Sequence, residues 1–307
     1  DNIEKLSSDL VATGKWSRDA LRFGLVTFRD HPPQDKTYIV QPHPFETDVN
    51  NLKSTLAKVV ADGGGDGPEA QCEALDQAVR ADWNDDAIKI AILVTDSPPH
   101  GIGEDGDKFP DGCPLQNDPL RLSKRMAKLG IILHVLACEP TLSLDFSTPL
   151  DFYKAITTIT GGRLFPLADS KDLLPIILGG VLESHAVEGL VVKHKADICR
   201  QAIHGASADK ISHDLHANLQ SSGLKLSTFD VEDIYIQNEA GDSNVQTWLN
   251  ADSIDERTLS KLQEVRGFRL QKSYRSNGGR PALKSHDQLV NIDQVKRAVT
   301  KSLVRNS

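Results

Sequence analysis

The chain has 307 residues, of which 39% are hydrophobic, 25% charged and 5% aromatic, and its formal net charge is -8. This composition predicts a packed soluble protein with one large domain or two small ones. No apolar run approaches the roughly 18 residues of a membrane-spanning helix, so the sequence predicts no membrane span. The four cysteines match no zinc spacing, and isolated cysteines fit a reducing compartment, which favours a cytoplasmic location.

Charge is distributed unevenly along the chain. Residues 1–189 contain 18 basic and 29 acidic residues, whereas residues 257–307 contain 12 basic and 3 acidic ones. A basic end can contact nucleic acid, acidic lipid or an acidic partner, but a solvated helical face is the simpler interpretation. No series of aromatic residues is interleaved with the basic ones, so single-stranded nucleic acid is a disfavoured partner.

Helical and strand patterns alternate through the first part of the chain. Apolar residues recur at helical spacing in the opening segment, and Gly14 ends that pattern. The predicted elements up to residue 95 are a helix over Asn2–Ala12, a strand over Leu21–Phe28, a short strand over Tyr38–Val40, a helix capped by Asp48, a helix that begins near Pro68, and a strand over Ile88–Thr95.

The alternation continues after a long polar loop, which is predicted from Ser97 to about Asn117. The elements that follow are a helix over Leu120–Leu129, a strand over Ile131–Cys138, a helix over about Leu150–Thr160, a short strand over Arg163–Pro166, and a helix from Leu173 onward. Such alternation predicts an α/β fold with a doubly wound, mostly parallel sheet covered on both faces.

The pattern changes in the last third of the chain. The sequence favours a strand at Val231–Ile236, helices at Asp255–Gln271 and Asp293–Val304, and a turn at Ser276–Pro281. We therefore predict an α/β domain at residues 1–188 and a mainly helical region with a basic end at residues 189–307.

Asp66 and Asp96 are the candidate metal ligands. Asp96 ends a buried strand, and Asp66 lies in a loop of four glycines, between Gly65 and Gly67. Ligands of open sheets bind at the carboxyl ends of strands, and glycine allows the backbone to approach a ligand closely. Two carboxylates there suit Mg²⁺, which takes few carboxylates and several waters. Alternatively, Asp96 caps a turn and Asp66 caps the helix that begins near Pro68.

Several segments together resemble a von Willebrand factor A-type domain, of the subgroup found beside α-type protein kinases and in related fungal proteins. The segments are RFGLVTFRDHPPQD at 22–35, GGGDGPEA at 63–70, VTDSPPHG at 94–101, FPDGCP at 109–114, GIILHV at 130–135 and CEP at 138–140. The resemblance covers roughly residues 1–185. It implies a Rossmann-like fold with a metal-ion-dependent adhesion site on its upper face.

That site, as the resemblance implies it, combines an Asp-x-Ser-x-Ser motif after the first strand with residues from two further loops. Asp66 matches the second loop, where Thr is more usual, and Asp96 matches the third. The first motif is absent, and it would lie just upstream of Asp1; Ser7 and Ser8 do not match it. The site is therefore expected to be incomplete, with weak affinity for Mg²⁺.

The resemblance also implies that the central first strand is missing from this chain. The strands at Leu21–Phe28 and Ile88–Thr95 would then lose a shared neighbour, at about 1–3 kcal/mol for each buried backbone group left unpaired. These strands must close up, borrow a strand such as Val231–Ile236, or leave the fragment unstable.

A protein-binding role is expected, in which an acidic residue of a partner completes the coordination of the cation. The partner-binding loop candidates are Gly65, Gly67, Ser97 and His100. His100 beside Asp96 lacks a suitable nucleophile, and the glycines at 63–67 are not followed by the Gly-Lys-Ser/Thr of a phosphate-binding loop, so no catalytic constellation is visible. The alternative is a regulatory region of an α-type protein serine/threonine kinase whose catalytic domain lies outside this chain.

Overall fold

The computed structural model describes residues 2–276 and 279–306. The chain is a mixed α/β protein with a three-stranded parallel sheet flanked by helices, and it ends in a C-terminal helix. The strands are β1 Phe23–Phe28, β2 Val40–Glu46, β3 Lys89–Thr95, β4 Ile131–Cys138, β5 Leu164–Leu167, β6 Lys225–Val231 and β7 Leu283–Leu289. The predicted turn at Ser276–Pro281 falls partly on residues 277 and 278, which lie outside the described residues.

The helices follow the sequence pattern closely in the first two thirds of the chain. They are α1 Asn2–Ala12, α2 Val49–Leu56, α3 Gln71–Arg80, α4 Pro119–Lys128, α5 Thr141–Asp145, α6 Pro149–Thr160, α7 Leu173–Ile203, α8 Ala208–Ser221, α9 Glu239–Asn250, α10 Glu256–Leu259 and α11 Ile292–Val304. The predicted cap of α2 is confirmed, because the Asp48 side chain accepts a hydrogen bond from the backbone N–H of Asn50.

The second strand lies further along the chain than predicted. The sequence favoured Tyr38–Val40, but β2 runs from Val40 to Glu46 and contains Pro42 and Pro44. Proline lacks a backbone donor and is normally excluded from central strands. It is tolerated here because, among the described residues, β2 pairs with β1 alone and so forms an edge.

The parallel sheet has the strand order β3-β4-β5, and its two faces carry different parts of the core. The central strand β4 is buried over nearly its whole length, which accounts for its continuous apolar sequence. Ile131, Leu133 and Val135 pack in a core with α4 and α6. Leu136 packs with Ile176 of α7 and with Phe229 of β6, in a separate cluster. Helices therefore flank the sheet on both sides.

A cleft of about 840 Å³ lies between β1 and β3, which do not pair with each other in the described chain. At the carboxyl ends of both strands a short segment spans the gap. The backbone N–H of Ala70 donates to Arg29 O (2.9 Å), and that of Glu69 donates to Pro98 O (2.9 Å). The gap is thus one strand wide at this end. Val231–Ile236, one candidate for a borrowed strand, does not fill it, because β6 ends at Val231 and pairs with β7.

The C-terminal region contributes strands as well as helices. β6 pairs antiparallel with β7 and ends at Val231, so the strand predicted at Val231–Ile236 is wrong beyond its first residue. The helix predicted over Asp255–Gln271 is wrong beyond Leu259, where α10 ends. The helix predicted over Asp293–Val304 is confirmed as α11, which packs with α7 and α8 around a second core.

Helix α7 crosses the domain boundary predicted between residues 188 and 189. By length and composition the segment Ser170–Ile203 could span a membrane. It contains no unbroken apolar run of about 18 residues, so the sequence pattern did not predict such a span. Its most apolar window is 50% buried inside the protein, and the helix contacts α1, α8, α11 and β6. A helix in the core of a soluble protein can have the same length and apolar composition. The absence of a membrane span therefore stays a prediction.

Candidate cation site at the carboxyl ends of β1 and β3

Three loops meet where β1 and β3 end. Asp30 follows β1, Asp96 follows β3, and the glycine-rich segment that carries Asp66 runs between them to the start of α3. The backbone bond from Glu69 to Pro98 and an isolated parallel bridge between Glu69 and Pro99 hold the second and third loops side by side. Acidic side chains of all three loops consequently face a shared region.

Asp66 does not cap α3. The N-cap residue of that helix is Ala70, which makes no side-chain capping bond. Instead, Asp66 Oδ2 accepts a hydrogen bond from the backbone N–H of Lys108 at 2.8 Å, in the long loop after β3. The capping alternative therefore does not explain Asp66, whose carboxylate joins two loops.

Gly65 and Gly67 lie where side chains have no room. A Cβ atom on Gly65 would come within 2.6 Å of Gln34 Oε1, and one on Gly67 would come within 2.5 Å of the Phe146 ring. Both distances are shorter than a normal van der Waals contact. These glycines are needed for the close approach of the loop to its neighbours.

Three carboxylates of this region each have a buried oxygen without a hydrogen-bond partner in the described chain: Asp30 Oδ2, Asp66 Oδ1 and Glu69 Oε2. Asp30 and Asp66 lie within hydrogen-bonding reach of each other, and Asp30, Asp66 and Asp96 all act electrostatically on Glu69. We call these four residues the carboxylate cluster. A buried oxygen of this kind is costly unless a proton or a cation satisfies it.

The pKa values of Glu69 and Asp66 are raised, chiefly by burial. Burial raises the pKa of Glu69 to about 7, and the charge of Asp30 acts in the same direction. Burial also raises the pKa of Asp66, although the backbone N–H of Lys108 opposes this effect. A bound cation would relieve the repulsion and provide a ligand for the unpartnered oxygens, so the residues fit a hard metal ion.

His100 is buried next to the cluster and lies between two carboxylates. Its Nε2 is 2.7 Å from Asp30 Oδ1, and its Nδ1 is 2.7 Å from Asp107 Oδ1. Burial lowers the pKa of His100, but the hydrogen bonds to Asp107 and Asp30 outweigh it and raise the pKa to about 9. The ring is therefore an imidazolium near neutral pH and donates from both nitrogens.

The hydrogen bonds of His100 decide which groups here can bind a metal. Ligand atoms of Asp66, His100 and Asp107 lie within 4.8 Å of one another, a separation that could hold an ion. Both nitrogens of His100 are already held by carboxylates, however, Nε2 by Asp30 and Nδ1 by Asp107. The carboxylate oxygens are thus the better ligands, and His100 orients Asp30 so that Oδ2 stays available.

Ser97 and Asp96 differ in accessibility although they are adjacent. Asp96 is exposed, whereas Ser97 is 6% exposed and its hydroxyl lies near Thr95 and Gln71. His100 is 1% exposed. Of the loop candidates named from the sequence, Gly65 is exposed and Gly67 partly so, which leaves the glycine loop and Asp96 as the accessible part of the site.

Asp30, Glu69 and Asp107 were missed by the sequence analysis. A signal for Asp30 was present, since it lies just beyond the end of β1 much as Asp96 follows β3. Glu69 and Asp107 carry no such signal, because only the folded loops bring them to the strand ends.

No model of a known protein family matches the chain, and no curated protein matches it significantly. Its function must therefore be inferred from its residues and their geometry.

Proposed function

We propose that this chain is a protein-binding module of the von Willebrand factor A type. It binds a divalent cation, preferentially Mg²⁺, and through that cation it binds an acidic residue of a partner protein. The observation that carries this proposal is the set of three buried carboxylate oxygens without a hydrogen-bond partner, on Asp30, Asp66 and Glu69. Asp96, which is exposed, acts electrostatically on Glu69 of this set.

The doubly wound fold of that family is part of the proposal. It is supported by the parallel order β3-β4-β5 and by the helices on both faces of that sheet. It is also supported by the gap between β1 and β3, which is one strand wide at the carboxyl ends of these strands.

The carboxylate cluster supplies oxygen donors of the kind that a hard cation binds. Asp30 and Glu69 each offer an oxygen with no other partner, so a hard cation finds donors without an Asp-x-Ser-x-Ser motif. The exposed side of the site, at Asp96, leaves coordination positions for water or for a partner carboxylate. Without the cation, the cluster would repel an acidic partner, so binding should depend on the metal.

Titration calorimetry of the full chain with Mg²⁺ tests this proposal. The change Asp66→Asn removes a charged ligand and should weaken Mg²⁺ binding at least about tenfold, since even residues that merely orient a ligand typically contribute that much. Asp105→Asn is the matched control, because Asp105 is an exposed carboxylate of the long loop that joins no described hydrogen bond. Equal Mg²⁺ affinity of both variants, or no binding by the wild type, would refute the cation site.

A further inference from the structure

A second cluster of ligand-type side chains lies next to the carboxylate cluster, starting at His31, the neighbour of Asp30. His31 Nε2, the Glu73 carboxylate and Cys113 Sγ all lie within 4.8 Å of one another, and all three residues are buried. One oxygen of Glu73 is 2.5 Å from Cys113 Sγ, and the other is 3.1 Å from His31 Nε2. A single carboxylate thus bridges a thiol and an imidazole.

Cys72 adds a second thiol to this group. It precedes Glu73 in the first turn of α3, is fully buried, and its thiol lies within hydrogen-bonding reach of Cys113. Cys72 therefore borders the group of His31, Glu73 and Cys113 on the side of Cys113. Thiolate, imidazole and carboxylate are the ligands of Zn²⁺ in proteins, whereas Mg²⁺ selects oxygen ligands alone.

The surroundings of the group resemble those of metal ligands. The backbone N–H of Leu115 donates to Cys113 Sγ at 3.2 Å, and Asn117 Nδ2 donates to Glu73 Oε1 at 3.3 Å. Donors of this kind stabilise a thiolate and orient a ligating carboxylate.

We propose that Cys72, Cys113, His31 and Glu73 bind one structural Zn²⁺ ion, at a site independent of the proposed cation site. The ligands come from the loop after β1, the first turn of α3 and the long loop between β3 and α4. The ion would therefore fasten the long loop to the body of the protein. A sequence search misses this set because the four ligands lie on three distant segments.

Burial argues for a structural ion rather than a reactive cysteine. A Cys–His nucleophile must reach its substrate, yet Cys113 is 9% exposed and His31 is 2% exposed. Structural zinc sites are closed and four-coordinate, whereas catalytic sites keep an open position. The four enclosed side chains fit the closed type.

Metal analysis of the full chain tests the proposal. Protein from cells supplied with zinc should contain one zinc ion per chain by mass spectrometry. Replacement of zinc by Co²⁺ should produce a thiolate-to-cobalt charge-transfer band and the strong visible bands of tetrahedral cobalt. The carboxylate cluster has no thiol, so Asp66→Asn should leave this spectrum unchanged.

The Co²⁺ affinities of substituted proteins distinguish the metal ligands from residues that do not bind the metal. Cys113→Ser and His31→Gln should each weaken Co²⁺ affinity at least about 100-fold, and Asn117→Ala, which touches only a ligand, should weaken it roughly 10- to 100-fold. Cys199→Ser is the matched control, because Cys199 lies in α7 and its thiol contacts Ser302 O, so it should bind Co²⁺ as the wild type does.

Three results would overturn the proposal. They are a wild-type chain that takes up neither zinc nor cobalt, a disulfide between Cys72 and Cys113 in place of the metal, and a folded Cys113→Ser variant with wild-type affinity. If Cys113→Ser does not fold, the cobalt spectrum of the wild type decides, since a spectrum without a thiolate band excludes cysteine ligation.

Discussion

His134 is a neutral histidine in the interior of the parallel sheet. Its Nδ1 accepts a hydrogen bond from the backbone N–H of Arg163 at 3.0 Å, so the proton lies on Nε2, which donates to Ser184 Oγ at 2.9 Å. Burial lowers the pKa of His134 to about 3, and nearby cations such as Arg297 act in the same direction. The side chain therefore serves the fold as an uncharged hydrogen-bonding group.

This residue should make stability depend on pH. Its pKa is about 3 in the folded chain and about 6.5 when unfolded, so between these values the unfolded state binds the extra proton. Its contribution to the free energy of unfolding is complete above pH 6.5 and falls by about 1.4 kcal/mol per pH unit as pH decreases toward 3. Urea unfolding of the wild type and of His134→Gln at several pH values measures this.

The stability difference between these two proteins should shrink from pH 7 to pH 4. His213→Gln provides the control, because the His213 side chain is largely exposed. A difference between wild type and His134→Gln that stays constant over this pH range would contradict the assignment of a neutral, buried His134.

Helix α4 begins at a residue that also ties two parts of the chain together. Asp118 is its N-cap, and Oδ1 accepts from the backbone N–H groups of Leu120 (2.8 Å) and Arg121 (3.0 Å). Oδ2 accepts from the backbone N–H of Ile254 at 2.8 Å, in the C-terminal region. One carboxylate therefore stabilises the helix start and positions the segment before α10.

Replacement of Asp118 should lower the free energy of unfolding more than replacement of an N-cap residue that makes no long-range bond. Asp118→Ala removes a cap worth about 1 kcal/mol and a hydrogen bond worth about 1 kcal/mol more. Asp48→Ala removes the cap of α2, which makes no such long-range bond, and should cost about 1 kcal/mol. Chemical denaturation of both variants tests this; equal losses would mean that the bond to Ile254 contributes nothing.

The C-terminal region of the chain contributes side chains to the main hydrophobic core. Trp248 of α9 is 1% exposed and lies edge-on to Phe152 of α6, with ring centroids 5.2 Å apart. Beside this contact, Arg269 Nη2 lies 2.5 Å from Asp151 Oδ1, and both side chains are almost fully buried. The division at residue 188 thus crosses a packed interior, and two independently folding domains remain only a prediction.

Loss of this contact should destabilise the entire chain. Trp248→Ala should lower the free energy of unfolding by about 3–5 kcal/mol, because it leaves a large cavity between α6 and α9. Val192→Ala is the control: Val192 is 82% exposed on α7, so its change should stay within about 0.5 kcal/mol. Denaturation followed by circular dichroism measures both. If only part of the unfolding transition moved in Trp248→Ala, the C-terminal region would fold separately.

Local patterns in the sequence were sufficient for most elements. The helix at Asn2–Ala12 and the strand at Ile131–Cys138 have the bounds that their apolar spacing predicted. Such periodicity is local, so it needs no knowledge of distant partners. β2 was misplaced because its prolines oppose a strand, and an edge position in the sheet overrides that preference.

By itself, the sequence determined the alternation of strands and helices, the loops that carry Asp66 and Asp96, and the glycines that leave those loops room. The packing of distant segments brings Asp30 and Glu69 to those carboxylates, places Glu73 and Cys113 beside His31, and pairs β6 with β7. The physical reason is distance along the chain. Spacing reports neighbours within a few residues, whereas these contacts arise when separate segments pack together.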